Sequence, residues 1–430
     1  MPGDAGRRGV GFVTPTGELL RCARRTVLPL ACFVSYYAWP FVKLWSYQGA
    51  VLGACTLAFF ATMAARLAIS PVVPAIGEAF SVSNGAIGLA LTGMWAAYAA
   101  SQFPSGLLAD RYGDRRIILV AVVGTAVTSG LLAVSPSYPV FLVGAVALGG
   151  VAGLHYSVAT SLLTRTLPNT GSAIGLHTAG APLAGVSVPL AAGGIGAWVG
   201  WRWAVAIGGL VAVPSILLVR HVLDATPPRR PEVPVWHRLQ VGPLAHLLAR
   251  PAIATTVALS VGGAFVWQAT ASFLPAILIE HHGYTETLAG GLFSAYFGVQ
   301  GLAQPALGAL SDRWGRDRAA ALAVGTGVAA YLALACGTGL WTVALGVVGA
   351  GGAMSWGAAL LPKFMDHLDD DERSAGFGLI RTAYMVLGAS GSVATGAVAD
   401  LLGWGPALLG LVGVLGGMFL TVLSRAREEQ

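Results

Sequence analysis

The chain has 430 residues, of which 55% are apolar and only 10% charged, and its mean hydropathy is +0.72. A water-soluble domain carries roughly 25% charged residues, so most of this surface must meet lipid rather than water. The net charge of +6 does not mark a nucleic-acid binder, because the basic residues fall in short loops between apolar stretches and form no stripe with aromatics.

Residues 1–48 form an N-terminal extension in which Arg7, Arg8, Arg21, Arg24 and Arg25 precede an apolar stretch near 27–42 closed by Lys43. If that stretch crossed a bilayer the arginines would be stranded outside. It reads instead as a cytoplasmic or interfacial segment, or as an upstream start that is not part of the working protein.

Twelve apolar stretches follow, each near the roughly 20 residues that cross a bilayer as a helix. They lie at about 50–76, 86–108, 117–135, 138–162, 171–197, 202–221, 252–279, 287–310, 319–338, 341–363, 375–399 and 404–424. With the N-terminus inside, sixteen basic residues between Arg111 and Arg427 fall on the cytoplasmic side and Arg202 alone on the other. Short arginine-rich loops resist translocation, so the expectation is a multi-pass plasma-membrane protein with both termini in the cytoplasm.

Residues 223–250 are polar, basic and proline-rich, and read as a cytoplasmic linker between a bundle at 49–222 and a second at 251–425, with a tail at 426–430. The acidic segment 366–372 reads as a solvated loop, with a contact to the basic hairpins left open. Glycine is abundant within the spans, at 59 of 430 residues, and spacings such as Gly149-x-x-x-Gly153 allow close helix contact. Cys22, Cys32, Cys55 and Cys336 have no CxxC spacing, so neither a metal site nor a disulfide framework is expected. No Gly-x-Ser-x-Gly, His-Glu-x-x-His or phosphate-loop pattern occurs, so the expectation is a non-enzyme without cofactor.

One loop is written twice. Gly106, Asp110, Arg111 and Gly113 recur 202 residues later as Gly308, Asp312, Arg313 and Gly315, and each copy is followed by basic residues, Arg115 and Arg116 in the first and Arg316 and Arg318 in the second. The repeat extends along the chain: Met94, Tyr98 and Gln102 match Tyr296, Gln300 and Gln304, each set spaced i, i+4, i+8 on one helical face. His177 and Arg381 are approximate symmetry mates.

Over about 49–425, two six-span halves joined by a long linker, with this hairpin after the second and eighth spans, resemble the major facilitator superfamily of secondary transporters. The resemblance implies an all-α fold of twelve transmembrane helices in two pseudo-symmetric bundles that rock about a midplane site. It also implies a conformational latch: Gly106 would allow close helix contact, Asp110 would meet the start of the eleventh span, and Arg111 and Arg115 would complete it. Gly113, Gly308, Asp312, Arg313 and Gly315 hold the equivalent places. Asp114 departs from the family pattern, where a basic residue is usual, which weakens the latch assignment. The helix-5 signature of drug antiporters is only loosely echoed at 185–194.

Arg66 is the leading site candidate. It lies deep in the first span, where a guanidinium costs at least about 2.5–3.5 kcal/mol, so it must face a wet cavity or an anion. Thr62 and Ser70, at i−4 and i+4, share its face. The structural alternative is an arginine bonded to backbone carbonyls freed near Pro71 and Pro74. Arg381, about six residues into its span, and His155 and His177, in the cytoplasmic halves of theirs, are further candidates, and Trp267, Gln268, Tyr296, Gln300, Trp356 and Tyr384 are candidate cavity walls.

No span holds an Asp or Glu in its middle. Buried arginine without a counter-carboxylate suits an anion, so the expected cargo is a small organic or inorganic anion moved by alternating access, with a coupling proton or counter-anion left open. The alternatives are a multidrug or hydrophobic-compound efflux carrier, and a non-transporting sensor on the same fold.

Overall fold

Twelve helical spans are found among the described residues of the computed structural model, which are 46–232, 242–368 and 373–428. Span 1 comprises α1 (Tyr47–Leu67), a 3-10 turn (Ser70–Val72) and α2 (Val73–Phe80). Spans 2 to 4 are α3 (Asn84–Tyr112), α4 (Asp114–Ala133) and α5 (Tyr138–Thr166). Span 5 is broken into α6 (Thr170–Thr178) and α7 (Gly180–Val199), and span 6 is α8 (Trp201–Val222). The linker carries a short helix, α9 (Gly242–Leu248).

The second half repeats the plan. Span 7 is α10 (Pro251–Ala276) with a closing π turn, and spans 8 and 9 are α11 (Glu286–Trp314) and α12 (Arg316–Cys336). Span 10 is broken into α13 (Leu340–Ala353) and α14 (Gly357–His367), span 11 into α15 (Arg373–Gly388) and α16 (Ser390–Leu402), and span 12 is α17 (Trp404–Glu428). Ten spans are long and apolar enough to cross a membrane; α3 and α11, 29 residues each, are less apolar because they carry the hairpin ends and the polar face of the repeat. The apolar stretch at 27–42 lies outside the described residues, as does most of the acidic loop.

The repeat is visible in backbone chemistry. The Ser83 hydroxyl accepts the Ala86 N–H at the start of α3, and 202 residues on Thr285 accepts from Leu288 at the start of α11. Both helices end at a glycine with positive φ, +90° at Gly113 and +93° at Gly315, a conformation that a side chain resists. At Gly113 a β-carbon would also stand 2.2 Å from the Thr226 carbonyl, so the linker lies directly on the turn.

Small residues set the helix spacing. A β-carbon on Gly149 would stand 1.9 Å from the Met94 carbonyl, and one on Gly153 2.3 Å from that of Tyr98, so spans 2 and 4 touch backbone to backbone. The two halves meet in the same way on the side opposite the hairpins, here called the far side. A β-carbon on Gly88 of span 2 would reach 2.6 Å from the Ser392 carbonyl of span 11, and one on Gly193 of span 5 would reach 2.7 Å from that of Glu286 in span 8. Thr92 donates to the Ala389 carbonyl at 2.8 Å and accepts the Val393 N–H at 3.0 Å. The Asp400 carboxylate accepts the N–H groups of Asn84 and Gly85 at 2.9 and 2.7 Å, closing the seal on the positive end of α3.

On the hairpin side the halves part. A β-carbon on Gly106, Gly171, Gly175 or Gly378 would meet nothing within 4 Å. Between spans 2, 4 and 11 lies a vestibule of about 420 Å³, lined by Gln102, Gly106, Asp110, Ser157, Ser161, Gly378 and Arg381 among others.

Candidate functional site

A second cavity of about 320 Å³ lies deeper, between the halves, and shares Arg381 with the vestibule. Its first-half walls are Phe59, Met63, Arg66, Trp95, Tyr98, Tyr156, Thr178, Ala181 and Pro182. Its second-half walls include Ala264, Trp267, Gln268, Phe297, Gln300, Gln304, Met354, Trp356, Tyr384 and Met385. Among the described residues no carboxylate lines it.

Arg66 is 1% exposed, near the C-terminal end of α1, just before Pro71 and Pro74 turn the chain into the 3-10 turn. Its Nε donates to the Thr62 carbonyl at 3.0 Å and one terminal nitrogen contacts the Met63 sulfur at 2.8 Å. The guanidinium lies 3.7 Å from the centre of the Tyr98 ring and 5.1 Å from that of Trp95. Its Nη1 has no hydrogen-bond partner among the described residues. The arginine is therefore held on one edge and one face, with donor capacity unspent, and it does not reach for the carbonyls freed by the prolines.

The other expected residues divide. Trp267, Gln268, Gln300, Trp356, Arg381 and Tyr384 all line the cavity. Gln268 donates to the Met385 carbonyl at 3.1 Å and keeps its own Oε1 unpaired. Gln300 donates at 3.1 Å to the Met354 carbonyl, in the break between α13 and α14, and accepts from the Trp267 indole at 3.4 Å. The Arg381 guanidinium, from the second half, lies 4.9 Å from the centre of the Tyr156 ring of the first.

Five expected residues stand off the cavity wall. Tyr296 is fully buried beside Phe293, with Phe297 on the wall in its place. The cause is Gly351, whose missing side chain lets span 10 sit on the Tyr296 backbone. Thr62 is buried and serves Arg66 through its carbonyl while its hydroxyl bonds to Phe59. Ser70 lies past the end of α1 and donates to the Ala271 carbonyl of span 7. His155 and His177 form a buried cluster behind Phe59 and Tyr156.

Sequence reasoning left out Met63, Trp95, Tyr98, Tyr156 and Phe297. Tyr98 stood on the repeated face with Gln102, and Trp95 is one turn before it, so the helical periodicity carried a usable signal.

The hairpins are bound by charge. Asp110 pairs with Arg229 of the linker at 2.6 Å, and its carbonyl accepts the N–H groups of Arg229 and Arg230. Asp114, the departure from the family pattern, pairs with Arg165 at the end of span 4 at 2.7 Å and with Arg229 at 3.4 Å. In the second half Asp317 pairs with Lys363 at the end of α14 at 2.5 Å, and Arg316 bonds Asp312 at 2.7 Å and Asp366 at 3.5 Å. Arg115 donates to the Arg220 carbonyl at 2.6 Å, Arg111 lies over Tyr112, and Arg313 is exposed. Among the described residues, a β-carbon on Gly308 would meet only Ala358 of its own half, at 4.0 Å.

Two six-span halves around a shared cavity, sealed on one side and parted on the other, define a polytopic membrane carrier fold. The sequence profile of the Major Facilitator Superfamily matches residues 55–291 and 257–430, and the chain belongs to that family. A probable sulfoacetate transporter from Cupriavidus necator is 27% identical over 194 residues, 45% of this chain and 45% of that protein. A probable chloroplastic anion transporter from Arabidopsis thaliana is 26% identical over 131 residues, 30% of this chain and 25% of that protein. The chain thus matches less than half the length of these curated relatives. The solved structure of the nucleoside transporter NupG superimposes with a TM-score of 0.74 at 13% identity, covering 88% of this chain and 99% of that one, a likeness of fold alone. These relatives are transporters, not enzymes.

Proposed function

We propose that the chain is a secondary active transporter of a small anionic solute, working by alternating access in the plasma membrane. The observation that carries this reading is the unspent Nη1 of Arg66 in a cavity without a carboxylate among the described residues. A guanidinium at this depth needs a counter-charge, and its planar fork matches carboxylate, sulfonate, phosphate or nitrate oxygens. The names of the sulfoacetate and anion transporters add support, since both describe negatively charged cargo.

Arg66 is the primary ligand, Arg381 a second cation facing it from the other half, and Gln268 and Gln300 orient the solute. The bias of basic residues towards the hairpin side makes that side cytoplasmic, with both termini there. The described state then faces inward, with its far-side seal closed. The glycine-lined gap at Gly106 and Gly378 closes when the carrier turns outward, and the hairpins act as the latch of that state.

A second reading has one observation in its favour. Trp95, Trp267, Phe297, Trp356 and Tyr384 give the cavity an aromatic lining that suits a hydrophobic compound, as an efflux carrier would require. Uptake by purified protein in liposomes decides between the readings, with nitrate, phosphate esters, small carboxylates and sulfonates as cargo and cationic lipophiles as competitors. Saturable anion uptake supports the first; inhibition by lipophilic cations with no anion transport supports the second.

A further inference from the structure

We propose that His155 and His177 form a proton-binding pair that takes up one proton when an anion occupies the cavity, making the carrier an anion–proton symporter. This deepens the anion reading above and rests on it.

The two imidazoles come from α5 and from the penultimate residue of α6. Their ring centres are 5.5 Å apart, and both side chains are fully buried. One of the four ring nitrogens is bonded: His155 Nε2 lies 3.1 Å from the Cys55 carbonyl. A carbonyl only accepts, so Nε2 carries the hydrogen and Nδ1 presents its lone pair. Among the described residues that Nδ1 has no partner, and neither nitrogen of His177 makes a well-aligned hydrogen bond, although its ring also lies by the Cys55 carbonyl. Buried polar atoms in folded proteins are nearly always bonded, and each neutral ring here keeps one lone pair, so the adjoining imidazoles have open capacity to bind a proton.

The pair lies directly behind the cavity wall. Phe59 packs on His177 at 5.1 Å and on His155 at 6.1 Å, and Tyr156 stacks on His177 at 6.0 Å. The titratable and charged groups around it are the Cys55 thiol and Arg66 from span 1, Tyr98 from span 2, Tyr156 from span 4 and Arg381 from span 11, over the Tyr156 ring. Asp110 and Asp114 lie at the hairpin ends of spans 2 and 3, paired with Arg229 and Arg165. An imidazolium formed behind an otherwise empty cavity therefore joins two arginines, with no free carboxylate beside it among the described residues. An anion on Arg66 offsets that repulsion through the apolar wall, including Phe59, that separates the cavity from the pair. Anion and proton then strengthen each other's binding by the same factor.

The pair also sits on a joint. Pro182 has no N–H for the Thr178 carbonyl, and span 5 breaks there at Ala179, between α6 and α7 and two residues past His177. Thr178 itself lines the cavity, so charge on the pair bears on the segment that must move when the cavity changes sides.

The test uses nitrate and sulfoacetate, whose charge is constant between about pH 8 and about pH 6. Purified wild-type protein is expected to bind at least one of them roughly tenfold more tightly at the lower pH, and to take up protons, read with an indicator dye, when the anion is added. His177→Gln, which leaves the His155–Cys55 bond in place, and the double variant with His155→Gln should bind with a flat pH profile and take up none. Anion binding with the same pH slope and proton uptake in wild type and both variants overturns the pair. So does binding by wild type without proton uptake. Arg66→Gln separates the two levels: if anions bind equally well without Arg66, or not at all to wild type, the anion reading fails. If binding needs Arg66 but its pH slope ignores the histidines, only the proton site fails.

Discussion

The guanidinium of Arg66 lies over the Tyr98 ring, 3.7 Å from its centre, with the centre of the Trp95 ring 5.1 Å away. Desolvated cation–π contacts of this kind are worth about 2 kcal/mol, and here the ring fixes the direction in which the remaining N–H groups point. Tyr98→Leu should weaken anion binding by roughly tenfold or more, while Tyr98→Phe, which keeps the ring, should stay within about threefold. Quenching of tryptophan fluorescence on anion titration, with Trp95 and Trp267 in the cavity wall, measures both.

The far-side seal is a conformational bias that can be removed atom by atom. Asp400→Asn loses the charge that faces the first N–H groups of α3, a contribution of about 1–2 kcal/mol, and should raise the outward-open population by about tenfold. Gly88→Leu, whose β-carbon cannot fit against the Ser392 carbonyl, should do so further. Labelling of a cysteine placed in the seal, from the outside, reads the shift; unchanged labelling in both variants would mean that the seal is held elsewhere.

How much of this was legible beforehand varied with the physics involved. The twelve spans were readable because a bilayer fixes helix length, and the observed helices overrun the expected stretches mainly by their capped and hairpin ends, as at Ser83 and Asp114. Arg66, Gln268 and Gln300 were readable because a polar group in an apolar span needs a reason. Trp95 and Tyr98 gave a weaker signal, since an aromatic in a span packs against neighbours as readily as it lines a cavity. Tyr296 was misplaced because which face of α11 meets the cavity depends on Gly351, fifty-five residues away. The ion pair from Arg229 to Asp110 joins linker and hairpin only once the chain is folded, so no local pattern announced it.

The Asp317–Lys363 pair is almost wholly buried, with side-chain exposures of 1% and 9%. Removing one partner leaves an uncompensated charge, so Lys363→Met should destabilise the protein by about 3–5 kcal/mol. The double variant with Asp317→Asn should recover most of that loss, because the pair's own net worth is small. Thermal melting of the detergent-solubilised protein checks the pattern, and equal loss in single and double variants would argue against it.

Gly149 and its neighbour Gly150 offer a controlled comparison. Gly149→Ala forces a methyl group into the Met94 carbonyl and should cost about 1–3 kcal/mol as spans 2 and 4 separate. Gly150→Ala meets nothing within 4 Å and should be neutral or mildly stabilising. Melting temperatures followed by size-exclusion chromatography distinguish them.

The most direct measurement is anion uptake into liposomes by wild-type protein and by Arg66→Gln, each shown to be folded by its elution profile and melting curve. The expected result is saturable uptake of at least one small anion by wild type and a loss of about a hundredfold or more in the variant, as befits removal of a buried charge-assisted contact. Uptake that survives in folded Arg66→Gln at the wild-type rate would contradict the assignment of that guanidinium as the anion ligand.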